Sequence, residues 1–154
     1  MKFSANNTTD YSSRFSATNE QVFNIDTNGQ SVAFATGLAG TSSTLNKLGL
    51  GTLTLTASQT YTGITTISEG TLALSGSDKT YATSGISNSG TLDLSGTIGL
   101  TLQSIYGAGN VILPASGTLT LSNASGEISG VISGASGLTI SAGSLILSGN
   151  NTYS

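Results

Sequence analysis

A five-residue phrase, Gly-Thr-Leu-x-Leu, recurs along this chain, and its spacing restricts the folds open to it. It stands at Gly51–Leu55, Gly70–Leu74, Gly90–Leu94 and Gly117–Leu121. Looser forms stand at Gly109–Leu113 (Gly-Asn-Val-Ile-Leu) and Gly143–Leu147 (Gly-Ser-Leu-Ile-Leu). From Gly51 to Gly109 the steps are 19, 20 and 19 residues; the ladder then becomes irregular, with Gly117 only 8 residues further on. A step of about 20 residues is the length of one coil in a strand-based solenoid. Side chains alternate along a strand. Leu53/Leu55, Leu72/Leu74, Leu92/Leu94, Leu119/Leu121 and Leu145/Leu147 are therefore expected on an inner face, with Thr71, Thr91, Thr118 and Ser144 outside. One such strand cannot bury its apolar side alone. Stacking successive copies puts Leu over Leu and makes a continuous core.

Further short segments lie between the phrases: Ile64–Ile67, Gly85–Gly90, Gly99–Ile105, Gly126–Gly134 and Gly137–Ile140 all read as strands. Gly, Ser and Asn bound them, residues that supply positive φ or bond their own backbone at tight corners. Gly51, Gly63, Gly70, Gly90, Gly117 and Gly143 are the expected corner and repeat positions. A coil of about 20 residues with two or three strands predicts an all-β chain folded as a right-handed parallel β-helix. An antiparallel β-sandwich, with strands every 8–12 residues, is the alternative. Three features weigh against it: aromatics at only 6%, no Trp, and the return of the same Leu phase at each coil.

The length, 154 residues, suits one compact domain or one segment of something longer. Residues 1–40 form an N-terminal β segment, an expected outer coil or cap, and residues 41–154 the repeat region. Val22–Ile25 and Ser31–Ala35 read as richer strands around the turn signal Asn28-Gly29. Residues 1–20 carry Phe3, Tyr11 and Phe15 and read as an extra outer coil, a cap or a frayed end; a cap would cover an exposed coil end.

Charged residues make up 7% of the chain, against roughly 25% in an average domain. The four cations, Lys2, Arg14, Lys47 and Lys79, are scattered and the net charge is −3. No basic patch can form, which argues against nucleic acid as a partner. It argues equally against docking on an anionic membrane surface. The first residues lack the apolar core of a signal peptide, so if the protein is secreted its export signal is expected outside this chain. Cysteine is absent, which fits an exported bacterial surface protein without disulfides.

Neither His nor Cys occurs, which removes His-based triads, thiol nucleophiles and the usual zinc ligands. No catalytic, metal or cofactor-binding residue is expected. Glycan hydrolysis would need two facing carboxylates. Asp93, Glu69 and the Asp78/Lys79 corner are the nearest candidates, and they read better as solvated charges. Asp26-Thr-Asn28-Gly29 resembles half of a calcium loop and reads as a plain turn. Asn-x-Ser/Thr triplets at Asn6, Asn7, Asn123 and Asn150 read as products of a Ser/Thr/Asn-rich surface. Tyr61, Tyr81, Tyr106 and Tyr153 fall near corners, where they could make a carbohydrate platform or cap the apolar end of a coil.

The stretch Leu45–Gly76, LNKLGLGTLTLTASQTYTGITTISEGTLALSG, resembles the autotransporter-associated β-strand repeat, also called the passenger-associated transport repeat. Lys47, Gly49, Gly51, Leu53, Leu55, Tyr61, Thr62, Gly63, Thr65, Thr66, Ile67, Gly70 and Leu72 match the family's pattern in order. A second copy runs from Gly130 to Ser154, where Tyr153 stands to Leu145 as Tyr61 stands to Leu53. Thr139 takes the place of the usual Lys there, and Ser154 that of a Thr, so the chain is expected to stop inside a repeat. The resemblance implies a right-handed β-helix in a secreted passenger on the outside of a Gram-negative cell. It implies a membrane-embedded barrel elsewhere in the parent protein and carries over no catalytic residue. A structural stalk or passenger segment is the expected role. Its expected partners are a host surface protein or glycan, or a second copy meeting it through coil ends or faces. A polysaccharide-acting enzyme is the remaining reading.

Overall fold

The computed structural model describes residues 1–154. Its strands, in chain order, are β1 (Val22–Asp26), β2 (Ser31–Phe34), β3 (Thr44–Leu48), β4 (Thr52–Leu55), β5 (Thr65–Ile67), β6 (Thr71–Ser75), β7 (Ile86–Asn88) and β8 (Thr91–Gly96). There follow β9 (Ile98–Leu102), β10 (Ile105–Tyr106), β11 (Asn110–Ile112), β12 (Ser116–Leu121), β13 (Glu127–Ile128), β14 (Ile132–Ser133), β15 (Gly137–Ile140) and β16 (Ile146–Leu147). A 3-10 turn at Ser12–Arg14 is the one helical element. No helix is long and apolar enough to cross a membrane.

Every strand pairing is parallel. The chain is a β-solenoid of about six turns with about 20 residues per coil. Parallel pairing throughout excludes the antiparallel sandwich. Each coil presents up to three faces. The first is the sheet β1-β3-β5-β7-β10, continued by β13-β16 through a single bridge from Gly107 to Ile128. The second is the sheet β2-β4-β6-β8-β11-β14. The third is the sheet β9-β12-β15; in earlier coils this side is irregular, held by one bridge between Gln59 and Tyr81.

The core runs along the axis. On the second face Val32, Leu53, Leu72, Leu92, Val111 and Ile132 stand in register and are buried. Leu55, Leu74 and Leu94 are buried beside them. One coil's corner lies so close on the next that glycine is required. A Cβ at Gly70 would meet the Gly51 carbonyl oxygen at 2.5 Å, and one at Gly90 would meet that of Gly70 at 2.4 Å. Gly109, Gly130 and Gly149 repeat the arrangement, each over the preceding glycine's carbonyl. Together these residues form a glycine spine at the corner between the first and second faces.

The phrases do not all fall in one column. Gly51–Leu55, Gly70–Leu74 and Gly90–Leu94 lead into second-face strands, and the looser Gly109–Leu113 continues their column. Gly117–Leu121 forms β12 on the third face, where Leu119 and Leu121 pair with Leu100 and Leu102. Gly143–Leu147 leads into β16, paired with β13 on the first-face side. The phrase encodes a corner followed by an inward-facing strand, and a three-sided coil has three corners to use it at. Leu145 and Leu147 pack against the core but stay half-buried, because no strand lies over β16. Two segments read as single strands are also divided. Gly99–Ile105 spans β9 and β10, and Gly126–Gly134 spans β13 and β14, with a corner inside each.

At the N-terminal end Lys2 bridges to Asp26, and Phe3 donates its N–H to the Asp26 carbonyl at 2.9 Å. Phe3 is buried, and the Phe15 ring lies 5.6 Å from Phe23 and 5.7 Å from Phe34. These aromatic rings lie against the core of the first coil.

Candidate functional site

The polar residues that matter most here point inward. In β3, Leu45 and Lys47 share the buried parity, so the strand drives an ammonium into the first corner. Lys47 is fully buried, and its Nζ donates to the carbonyls of Leu48 (3.0 Å), Gly49 (2.6 Å) and Glu69 (3.2 Å). Burial lowers its pKa to about 8, while the Asp26 and Glu69 carboxylates pull the other way. The same corner is tied one coil earlier by Thr27, whose hydroxyl donates to the Leu50 carbonyl at 2.7 Å. Further along, buried Asn88 donates to the Asn110 carbonyl at 2.8 Å and accepts from the Gly90 N–H at 3.2 Å. Lys47 and Asn88 occupy one ladder with Ile25 and Ile67 between and before them. Each replaces an apolar side chain by one that donates to corner carbonyls; the Leu48 carbonyl also accepts from the Thr27 N–H at 3.1 Å.

A second buried network ties the corner entering the first face. The Tyr61 and Thr65 hydroxyls are 2.6 Å apart, and Thr65 donates to the Thr83 hydroxyl at 3.1 Å. Thr83 reaches the carbonyls of Gly63 (2.8 Å) and Gly85 (2.9 Å). Gln59 accepts from the Leu38 N–H at 2.8 Å and donates to the Ala57 carbonyl at 2.7 Å. Tyr61 is 2% exposed and Tyr81 8%, so neither ring is available as a surface platform. Burial raises the pKa of both, that of Tyr81 to about 12. Tyr106 and Tyr153 are half-buried.

The acidic candidates lie apart. Asp93, on the outward parity of β8, accepts from the Ser95 N–H at 2.9 Å. Glu69 lines a recess of about 540 Å³ with Lys2, Asp26, Asn28 and Leu50. Asp78 and Lys79 line another, of about 360 Å³, with Tyr81, Ile98 and Leu100. Asp26 spends one oxygen on the Asn28 N–H at 2.9 Å and pairs the other with Lys2 at 3.3 Å. Its loop is a turn with Asn28 and Gly29 both at positive φ. No group of three or more metal-capable side chains comes together.

Three buried polar groups not expected from residue type tie the corners: Thr83 at Gly63 and Gly85, Asn88 at Gly90, and Gln59 at Leu38 and Ala57. The available signal was parity. Asn88 follows Ile86 at the inward spacing of β7, as Lys47 follows Leu45 in β3. Thr139, which takes the Lys place in the second copy, is exposed on β15, so it does not enter a carbonyl cage.

The passenger-associated-transport-repeat family matches residues 45–74 and 140–154 of this chain. The first match covers β3 to β6 and contains both the Lys47 cage and the Tyr61–Thr65 contact. The second enters at the end of β15 and covers β16 and the residues after it. No curated protein and no solved structure matches the chain.

Proposed function

We propose that this chain is a non-catalytic passenger segment of a secreted bacterial surface autotransporter, a stalk that extends and displays rather than transforms. The observation that supports it is the content of the first repeat match. Its glycines, leucines, Lys47 and Tyr61 are spent on corners and core. A repeat and solenoid of this kind fit a passenger segment. The outward faces are mainly Thr, Ser and Asn, which keep a long rod soluble with little charge. Adhesion and self-association are roles such a rod performs by length and by its faces, toward a host protein, a glycan or another copy.

Protease treatment of intact cells tests the assignment. An epitope inserted after Asp78, in the bend between Gly76 and Thr80, should be cleaved on whole cells expressing the parent gene. An epitope that stays intact until the cells are lysed would remove surface display. Purified protein should also show no turnover of polysaccharide substrates. Activity lost in Asp93→Asn would replace the structural reading with an enzymatic one.

A further inference from the structure

Asn28-Gly29 is the one Asn-Gly step in the chain, and it sits where the N-terminal strand is fastened to the first coil. Residues 1–3 run along the free edge of β1. The Asp26 N–H donates to the Met1 carbonyl at 2.9 Å, and the Phe3 N–H to the Asp26 carbonyl at 2.9 Å. In a parallel ladder the next rung would be the N–H of residue 28 to the Phe3 carbonyl. The chain turns there instead. Asn28 and Gly29 are at φ +49° and +81°, and the Gln30 N–H closes the turn on the Thr27 carbonyl at 2.9 Å. The Asn28 N–H goes to the Asp26 carboxylate at 2.9 Å. The Asn28 side chain supplies the missing rung, its Nδ2 donating to the Phe3 carbonyl at 3.0 Å. Asn28 and Gly29 are both exposed, beside the recess that holds Asp26 and Glu69.

We propose that Asn28 is a site of spontaneous deamidation and that its conversion releases the N-terminal strand. Asn is chemically labile, most so before glycine, whose amide nitrogen no side chain shields. The Gly29 nitrogen, its proton taken by hydroxide, bonds to Asn28 Cγ. The Cγ–Nδ2 bond breaks and ammonia leaves, closing a succinimide. Water then opens the ring. Attack at Cγ breaks its bond to the Gly29 nitrogen and gives aspartate. Attack at the backbone carbonyl carbon of residue 28 gives isoaspartate, with the chain rerouted through Cγ. The Gly29 nitrogen regains a proton in either case, so the net change is hydrolysis of the side-chain amide to a carboxylate and ammonia. The folded chain restrains the first step, because the Gly29 N–H is bound to the Leu50 carbonyl at 2.5 Å and Nδ2 to that of Phe3. Local opening of this end therefore gates the reaction. Either product has no proton to offer the Phe3 carbonyl and adds a carboxylate beside Asp26 and Glu69, so the strand does not refasten. The loss of ammonia makes the step irreversible, and Asn28 acts as a ratchet on the N-terminal end. The inference does not depend on surface display; it rests on the turn and the strand that the turn holds.

The test incubates the full chain in mildly alkaline buffer beside a blocked peptide copying Ile25–Ser31. Products are mapped by mass spectrometry with detection of isoaspartate. Asn28 should be the first asparagine converted, at a rate at least about tenfold below that of the peptide. Phe15→Ala removes the ring that packs on Phe23 and Phe34 and should bring the rate toward that of the peptide. In the deamidated chain, and from the outset in Asn28→Asp, the Phe3 and Asp26 amides should exchange about tenfold faster or more, with Thr71 unchanged. Asn28→Gln keeps a side-chain amide but closes a cyclic imide far less readily, so it should show no loosening with time. No conversion at Asn28 in either the chain or Phe15→Ala, over many half-lives of the peptide reaction, would overturn the site. Earlier conversion at another asparagine would do the same. Equal rates in the chain and the peptide would remove the gating. Unchanged exchange at Phe3 and Asp26 in both Asn28→Asp and the deamidated chain would refute release of the strand.

Discussion

Lys47 shows what a single buried charge does in a chain with so few. Its ammonium answers three carbonyls at a corner where glycines have brought the backbone of two coils together. The folded chain lowers the Lys47 pKa to about 8 from 10.5, so over that interval the unfolded chain holds the proton more tightly. Stability should therefore rise as pH rises through this window. Tyr61 and Tyr81 act in the opposite sense. Their pKa values are raised above 10 in the folded chain, so above about pH 10 the unfolded chain loses protons first and stability falls. Urea midpoints measured from about pH 7 to 11 should pass through a maximum near pH 10. Lys47→Met should abolish the rise and keep the fall; an unchanged rise in that variant would remove Lys47 as its source. The glycines divide just as sharply. Gly29 is at φ +81°, and a Cβ there would have nothing within 4 Å, so Gly29→Ala should cost only the left-handed backbone, about 1–2 kcal/mol. Gly70 combines φ +65° with carbonyls at 2.5 and 2.7 Å, so Gly70→Ala should cost more than about 4 kcal/mol or prevent folding. Equal denaturation midpoints for the two variants would refute the spine.

At the scale of strands, the alternation of Leu and Thr was legible because burial alternates too. β4, β6 and the start of β8 all show the half-buried, buried pattern that Thr-Leu-x-Leu requires. Which face a phrase occupies was not legible. Gly-Thr-Leu fixes a corner and the parity after it, and nothing within the five residues distinguishes one corner of a three-sided coil from another. Placement depends on the count of residues since the previous corner, so the irregular step from Gly109 to Gly117 marked the move to the third face. The buried polar network was hidden for a related reason. Lys, Asn and Thr are read as outward residues by type, and only the folded corner gathers the carbonyls, from the same coil and from its neighbours, that make their burial favourable. Position along the rod also changes what one Leu contributes. Leu72 is 1% exposed between two coils, so Leu72→Ala should destabilise by about 2–5 kcal/mol. Leu147 is half-buried with no strand over it, so Leu147→Ala should cost about 1 kcal/mol or less. Urea unfolding followed by circular dichroism compares them, and similar losses would mean that the last coil is as tightly covered as the central ones.

Over the whole molecule, each coil touches only its neighbours, so stability is a sum of coil and interface contributions rather than one indivisible quantity. The two ends are not equivalent. Phe3, Tyr11 and Phe15 pack on the first coil, whereas Ile140 and Ile146 remain 40% and 63% exposed in the last. Opening should therefore begin at the β14–β16 coil and proceed inward. Amide exchange can measure this at sites with equivalent hydrogen bonds. Ile146 donates to the Gly126 carbonyl at 3.0 Å and Thr152 to that of Ile132 at 2.9 Å. In the interior, Leu45 donates to Ile64 at 3.1 Å and Thr71 to Gly51 at 2.9 Å. Bond length does not separate the two pairs, so a difference in exchange reports the free energy of local opening. Ile146 and Thr152 should exchange at least about tenfold faster than Leu45 and Thr71. Phe15→Ala should then extend fast exchange to the first coil, at Phe3 and Asp26, and leave Thr71 unchanged. Uniform protection along the rod would mean that the coils unfold as one unit. In that case the aromatic side chains at the N-terminal end would contribute to global stability rather than hold one end closed.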